Sequence, residues 1–314
     1  MLALARYTLK GPYQASAVVG ILAIVAVFFP LFSGSPLLGA MVGMLLTYLS
    51  ASLVGLIILT QGIQSGIKAI IVAVLGITLV TTVVLEAPGL GISIALAQWL
   101  PIIVLAQTFR ATSSIALTLV AGVALGFVAV VAQYAFLPEL EKDWVEIIMQ
   151  SVAQLPQQQE YDIAALTENV RLMVHWLILA LGASMYLLYA SIVLVARWLQ
   201  ARVASSDGYR REFLTLSFGK PASIVAMLLV ALSSWLDYDL LTSLAILILA
   251  AFLFQGIAVV HAKIAGSKIR PMLTGLFYAL LLIFPQIMAV TVLAGVIDNW
   301  LIFRKNGNIE NSPD

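Results

Sequence analysis

The chain has no cysteine and only two histidines, His175 and His261, among its 314 residues. The absence of cysteine excludes disulfides, thiolate catalysis and thiolate metal sites. Two imidazoles are too few for a metal or haem centre built from histidines alone. We therefore predict neither a metal nor a cofactor.

Charge is also scarce, since Asp, Glu, Lys and Arg make up 10% of the residues, against about a quarter in soluble domains. The formal net charge is +1, so nucleic-acid binding is not indicated. Apolar residues reach 62% and the mean hydropathy is +1.07. These values predict an integral membrane protein whose main partner is the lipid bilayer.

Nine stretches are long and apolar enough to cross about 30 Å of hydrocarbon with all backbone hydrogen bonds made internally. They are Ala15–Phe32, Leu37–Thr60, Ala69–Leu85, Leu90–Phe109, Ile115–Leu137, Leu172–Ala196, Pro221–Leu236, Leu240–Val260 and Met272–Ile297. The predicted fold class is all-α: a single integral membrane domain over residues 1–314, a polytopic bundle of about nine transmembrane helices (eight to ten). Pro285 lies inside the ninth stretch and predicts a kink or two half-helices.

The positive-inside rule orients the bundle. With the N-terminus inside, twelve of the sixteen basic residues lie on the cytoplasmic side, together with only two acidic residues, Asp207 and Glu212. Arg304 and Lys305 do not fit a ninth crossing. They fit if the last stretch turns back at Pro285, so the side of the C-terminus stays open.

Three polar segments flank the predicted spans: an extracytoplasmic loop at 138–171, a basic cytoplasmic loop at 197–220 and a polar tail at 304–314. The first part of the 138–171 loop has the apolar periodicity of a surface helix. Its apolar residues are Trp144, Ile147, Ile148, Val152 and Leu155. Pro156–Gln159 forms a predicted hinge, after which the chain continues without a break into the sixth span.

The basic loop, Arg197 to Lys220, has two interpretations. Its arginines either enforce topology or contact a membrane or cytoplasmic protein partner or anionic head groups.

No Lys, Arg, Asp or Glu lies in the middle of a predicted span. The acids at span ends, which include Asp237 and Asp298, are interpreted as solvated interface charges, and this disfavours a proton-driven machine. No motif for intramembrane proteolysis is found. We predict no catalytic residue and a protein that is not an enzyme.

Polar side chains within the spans are the candidate ligand-binding residues: His175, Tyr186, Tyr189, Gln133, Gln98 and Gln255. His175, Tyr186 and Tyr189 fall on one face of a helix at about 100° per residue. That face is either the wall of a small-ligand cavity or a set of interhelical hydrogen bonds.

Two G-x-x-x-G pairs are predicted to be helix-packing sites, Gly39 with Gly43 and Gly122 with Gly126. Such pairs allow close helix approach, either within the chain or against a second membrane protein.

The C-terminal run GVIDNWLIFRKN carries Gly295, Asp298, Trp300, Phe303 and Arg304, and the N-terminus reads MLALARYTLKG. With these features the chain resembles the YybS-like family of bacterial multi-pass membrane proteins. That family is distantly similar to substrate-capture subunits of energy-coupling-factor transporters and to MreD-like proteins. The resemblance implies a protein of the bacterial cytoplasmic (inner) membrane. The family pattern has an acid directly before the Phe-Arg pair, where this chain has Ile302.

Three functional hypotheses follow. The leading one is a component that captures or transports a small molecule under the 138–171 loop. The alternative is a membrane scaffold or assembly factor for envelope proteins, which would use the glycine faces and the basic loop. A lipid-acting enzyme that uses His175 ranks third.

Overall fold

The computed structural model describes residues 1–153 and 163–301, and within these ranges the regular secondary structure is helical. In chain order the helices are α1 (Leu2–Thr8), α2 (Pro12–Phe32), α3 (Pro36–Gln61), α4 (Ile63–Leu85), α5 (Leu90–Ile94), α6 (Leu100–Thr112), α7 (Ile115–Phe136), α8 (Leu140–Ala153), α9 (Ile163–Val203), α10 (Gly208–Leu214), α11 (Gly219–Leu236), α12 (Asp239–Ile264), α13 (Arg270–Ile283) and α14 (Pro285–Leu301). A π-helical turn, Ala95–Trp99, joins α5 to α6.

Eight segments in the described ranges are long and apolar enough to cross a membrane: α2, α3, α4, α5 with α6, α7, α9, α11 and α12. They are helical because a helix pairs its own backbone groups where lipid offers no partner. Helices α13 and α14 meet the test only as a pair, and they are bent by 114° at their junction. The predicted all-α polytopic bundle is thereby confirmed.

Some predicted features lie outside the described residues. These are Leu155, the hinge at Pro156–Gln159, and the 304–314 tail with Phe303 before it.

The chain forms two compact units, divided within α7 and within α9. The first unit comprises Met1–Gly122 and Leu188–Leu216. The second comprises the described residues of Val123–Leu187 and Ser217–Asp314.

Helix α3 is the core of the first unit, because residues 50–59 are all buried. Side chains from other helices donate to carbonyls in its last turn. Arg110 Nη1 donates to the carbonyl of Ile58 at 3.1 Å, and Gln200 Nε2 donates to the carbonyl of Leu59 at 2.9 Å. These bonds cap α3 where it turns into α4.

Helices α2 and α3 meet closely around Pro30. Proline has no N–H for the carbonyl four residues earlier, here that of Ala26. A Cβ on Gly43 would lie 2.8 Å from that carbonyl oxygen, and a Cβ on Gly39 would lie 2.7 Å from Pro30 Cα. The predicted packing pair Gly39 and Gly43 therefore lies at a contact within the chain.

A second proline interrupts the segment made of α5, the π-helical turn and α6. Pro101 cannot donate to the carbonyl of Ala97, four residues earlier. The hydroxyl of Tyr189 donates to that carbonyl instead. Tyr189, one of the predicted ligand-binding residues, thus bonds a carbonyl of the π-helical turn that Pro101 leaves without its helical donor.

Helix α12 is the core of the second unit, because residues 250–259 are all buried. In the same unit Gly126 of α7 lies against Leu247, at 2.8 Å from a Cβ built on the glycine. Its predicted partner Gly122 is buried. Gly182 of α9 lies against Val130 of α7.

The predicted surface helix of the 138–171 loop is present as α8, and it packs on α9. Val145, Ile148 and Met149 contact a buried cluster of Val170, Val174 and Ile178. Two other predicted apolar residues, Trp144 and Ile147, are 43% and 61% exposed. Helix α8 is therefore held by protein contacts on one side and presents apolar surface on another.

Helices α13 and α14 are too short to cross alone. At 1.5 Å per residue their 14 and 17 residues extend about 21 Å and about 26 Å. The junction at Phe284 precedes Pro285, and proline favours such a break.

The end of α14 lies against the start of α11. Gly219 and Ser223 of α11 both bond Asn299, and Ser223 also bonds the carbonyl of Val296. The break falls where Pro285 predicted it, and the bent pair is either a broken span or a re-entrant hairpin.

Glycines allow α14 to lie directly on α12. A Cβ on Gly256 would collide with the carbonyl oxygen of Thr291, and a Cβ on Gly295 with that of Phe252. Gly295, chosen from the sequence as a family-motif residue, is thus a backbone contact between α14 and α12.

Candidate functional site

Four buried polar side chains converge where α14 ends against α11 and α12. Gln255 and Ser223 are fully buried, and Asp298 and Asn299 are 5% and 8% exposed. We call these four residues the polar cluster. Gln255 lies nine residues before the end of α12, about 14 Å along the helix axis.

Gln255 connects three helices. Its Nε2 donates to Asp298 Oδ2 and to Asn299 Oδ1, both at 3.1 Å. Its Oε1 accepts from the backbone N–H of Phe218 at 3.0 Å. Both amide hydrogens and the amide oxygen of Gln255 are therefore engaged.

Asn299 is bonded as fully. Its Oδ1 also accepts from the Ser217 hydroxyl at 2.8 Å and from the N–H of Gly219 at 3.1 Å. Its Nδ2 donates to the Ser223 hydroxyl at 2.7 Å, and that hydroxyl donates to the carbonyl of Val296 at 3.2 Å. The cluster thus fixes the end of α14 to the start of α11.

Part of this arrangement is helix capping. The first amides of α11 have no partner within the helix, and Gln255 and Asn299 accept from two N–H groups at its start. Capping accounts for the two carboxamides. It does not require a carboxylate at position 298.

Asp298 corrects an expectation from the sequence. Its interpretation as a solvated interface charge is wrong, because the residue is 5% exposed. A buried carboxylate loses its hydration and needs hydrogen-bond donors within the protein, of which Gln255 Nε2 is one. In contrast, Asp237 and Asp239 are exposed, as an interface position predicts.

The chemistry of the cluster is that of one carboxylate, because the carboxamide oxygens already accept hydrogen bonds. A carboxylate suits a singly charged cation, a proton or the ammonium group of a small solute. Within the described residues no group of three or more His, Cys, Asp or Glu is placed to hold a metal ion.

The other predicted ligand-binding residues of the second unit are separate from the cluster. His175 Nδ1 lies 3.0 Å from Glu141 Oε2 of α8, and its Nε2 lies 3.9 Å from Asp239 Oδ1. Gln133 Nε2 donates to the carbonyl of Ile178 at 3.4 Å.

Tyr186 is buried and packs edge-on against Phe254, with ring centroids 6.1 Å apart. Its hydroxyl has no hydrogen-bond partner among the residues that the structure describes.

Gln98 and Tyr189 belong to the first unit. Gln98 Nε2 donates to the carbonyl of Thr47 at 2.7 Å, and Tyr189 bonds the carbonyl of Ala97. Of the six predicted ligand-binding residues, only Gln255 belongs to the polar cluster.

The basic loop is folded, with α10 at its centre. Arg197 is paired with Glu212, with Nη2–Oε1 at 2.6 Å, and its guanidinium lies 5.2 Å from the centroid of the Phe109 ring. Arg210 and Arg211 of α10 are exposed.

Asn299, Ser223 and Ser217 were not predicted as site residues. The adjacent pair Asp298 and Asn299 near the end of an apolar stretch was a sequence signal for Asn299, and it gave none for Ser223 or Ser217. Trp300, a predicted motif residue, is 39% exposed.

The chain was also compared with known proteins, and no family model, curated protein or solved structure matches it. The resemblance to the YybS-like family therefore stays a prediction.

Proposed function

We propose that this multi-pass membrane protein is a non-enzymatic component of small-solute transport, with the polar cluster as the site that binds the solute or a coupling cation. The observation that carries the proposal is the buried carboxylate of Asp298, which α14, the second helix of the bent pair, places against Gln255 of α12. Transporters commonly build their sites on discontinuous helices. An ionisable residue inside a membrane segment is costly and thus indicates function.

In this proposal the protein lies in the cytoplasmic membrane of a bacterium, as the YybS-like resemblance implies, with its N-terminus inside. The distribution of lysine and arginine supports this orientation. The polar cluster would then open to the cytoplasm, and α8 would cover the opposite face.

Ligand-dependent stabilisation of the purified protein tests the proposed site. We expect at least one member of a panel of monovalent cations, small amines and neutral metabolites to raise the melting temperature of the wild type. A ligand at a hundred times its Kd stabilises the folded state by about 2.7 kcal/mol. Asp298→Asn removes the charge and should abolish this increase, whatever its effect on the unliganded protein.

The matched control is Asp237→Asn, which removes an exposed carboxylate of the same unit. It should respond to the ligand as the wild type does. An equal response of the Asp298→Asn variant would refute the site.

If no ligand acts and mass spectrometry of the same preparation finds a stoichiometric protein partner, the scaffold function is supported instead. The exposed Arg210 and Arg211 would then be the first residues to test at the contact.

A further inference from the structure

A half-open surface cavity in the first unit lies far in sequence from the polar cluster and is not used by the proposed transport function. Its arginine, serine and aspartate lining residues are exposed. Its volume is about 360 Å³, within the range of small-ligand sites. It is lined by Leu2 and Arg6 of α1, Arg202 of α9, and Ser205, Ser206 and Asp207 of the turn after α9.

The wall formed by the turn after α9 is held by backbone bonds. The N–H of Ser206 donates to the carbonyl of Ala201 at 2.8 Å, and Ser205 has a left-handed backbone with φ 52°. Ser206 Oγ accepts from the N–H of Gly208 at 3.1 Å. The turn therefore presents Arg202 and the two serines from a fixed backbone.

The two arginines of the cavity keep their charges available. Among the described residues neither Arg6 nor Arg202 has a carboxylate within the 4.0 Å of an ion pair, whereas Arg197 of the same unit is paired with Glu212. Asp207 is the only acidic residue in the lining. Two guanidinium groups against one carboxylate favour an anion.

We infer that this cavity binds a phosphate ester. Guanidinium groups bind phosphate oxygens through paired, charge-assisted hydrogen bonds, and the serine hydroxyls of the turn add neutral donors.

The position of the cavity favours a membrane phospholipid as the source of the phosphate. Arg202 is in the last turn of α9, and α1 ends four residues before α2 begins at Pro12, so the cavity lies where candidate spans end. Tyr13 at the start of α2 is 85% exposed and Trp198 of α9 is 38% exposed. Exposed aromatic residues at span ends are typical of the head-group region.

Binding to delipidated protein in an uncharged detergent tests the inference. The probes are dihexanoyl-phosphatidylglycerol, glycerol 3-phosphate and dihexanoylglycerol, which lacks phosphate. We expect the phospholipid to bind and dihexanoylglycerol not to bind, as measured by the increase in melting temperature. The variant R6Q/R202Q should weaken phospholipid binding about tenfold or more, because it removes charge-assisted hydrogen bonds.

Two further variants make the test specific. R210Q/R211Q removes the same charge from α10, outside the cavity, and should change the affinity by less than about twofold, as expected for screened surface charge. D207N removes the negative charge of the lining and should strengthen binding.

Equal binding of glycerol 3-phosphate and the phospholipid supports a phosphate site that serves a soluble compound. No binding by either phosphate probe, equal binding of dihexanoylglycerol, or equal losses in the two double variants would overturn the inference. If R6Q/R202Q is not monodisperse, the phospholipid affinity of D207N tests the inference instead. An affinity of D207N equal to that of the wild type would also overturn the inference.

Discussion

Gly256 and Gly295 determine how closely α14 can approach α12, the core of the second unit. At each of them the nearest atom is a backbone carbonyl oxygen on the opposite helix. Backbone cannot move aside as a flexible side chain can. A single methyl group at either position must therefore push α14 away from α12.

Replacement of either glycine by alanine should destabilise the protein. We expect Gly256→Ala and Gly295→Ala each to reduce the free energy of unfolding by about 1 to 3 kcal/mol, the usual cost of overpacking. Thermal unfolding in detergent, followed by tryptophan fluorescence, measures the effect. The control is Gly275→Ala in α13, where a Cβ meets no atom within 4 Å. Alanine is the better helix former, so this variant should be unchanged or more stable, and a loss equal to that of Gly295→Ala would contradict the argument.

The burial of Asp298 could not be predicted from the sequence. An aspartate near the end of an apolar stretch has the same sequence context whether it is buried in protein or lies at a membrane interface. Its burial depends on Gln255, 43 positions earlier in the chain, and on the packing of α14 against α11 and α12. Gln255 could be selected from the sequence because a buried carboxamide in an apolar helix needs a hydrogen-bond partner. The sequence could not identify which residues are its partners.

For helix α8, the spacing of apolar residues predicted the helix but not its packing. The apolar residues recur at three- and four-residue spacing, and Ile147 and Ile148 both belonged to the predicted apolar face. In the structure Ile148 packs on the α9 cluster while Ile147 is 61% exposed. The pattern could not show which part of a broad apolar face meets protein.

These two isoleucines allow a matched test of α8. Ile148→Ser removes a packed side chain and should accelerate hydrogen exchange of the α8 amides, because local opening then costs less free energy. Ile147→Ser makes the same chemical change on the exposed side and should leave exchange nearly as in the wild type. Exchange measured by mass spectrometry of peptides from residues 140–153 reports both. Equal acceleration in the two variants would show that α8 does not rest on α9 through Ile148.

The long apolar helices are the elements that hydropathy predicts best, because lipid forces each one to pair its own backbone. Hydropathy also located the break at Pro285. It could not give the direction taken after the break, since a kinked span and a re-entrant hairpin have the same composition. The contact of Asn299 with Gly219 favours the hairpin, because it places the end of α14 beside the start of α11.

For the molecule as a whole, the contact between the end of α14 and the start of α11 bears on the topology. The second unit has Lys220 at the start of α11 and Arg270 at the start of α13, with Asp237 and Asp239 at the opposite ends of α11 and α12. Because Asn299 bonds Gly219 beside Lys220, we expect the last residue of α14 to lie at the basic end and α13 with α14 to form a re-entrant hairpin. The sequence then continues with Arg304 and Lys305, which the positive-inside rule favours on the cytoplasmic side.

The absence of cysteine makes this topology directly testable, since a single introduced cysteine is then the only thiol in the protein that a maleimide can label. Lys220→Cys and Tyr238→Cys mark the two ends of α11, and Leu301→Cys marks the end of α14. Tyr238 and Leu301 are 60% and 65% exposed. On intact cells a membrane-impermeant maleimide should label Tyr238→Cys, whereas Lys220→Cys and Leu301→Cys should react only after permeabilisation. The comparison of positions 220 and 238 tests the orientation, and that of 301 with 220 tests the hairpin independently. Labelling of Leu301→Cys together with Tyr238→Cys would mean that α13 and α14 cross the membrane as one bent span.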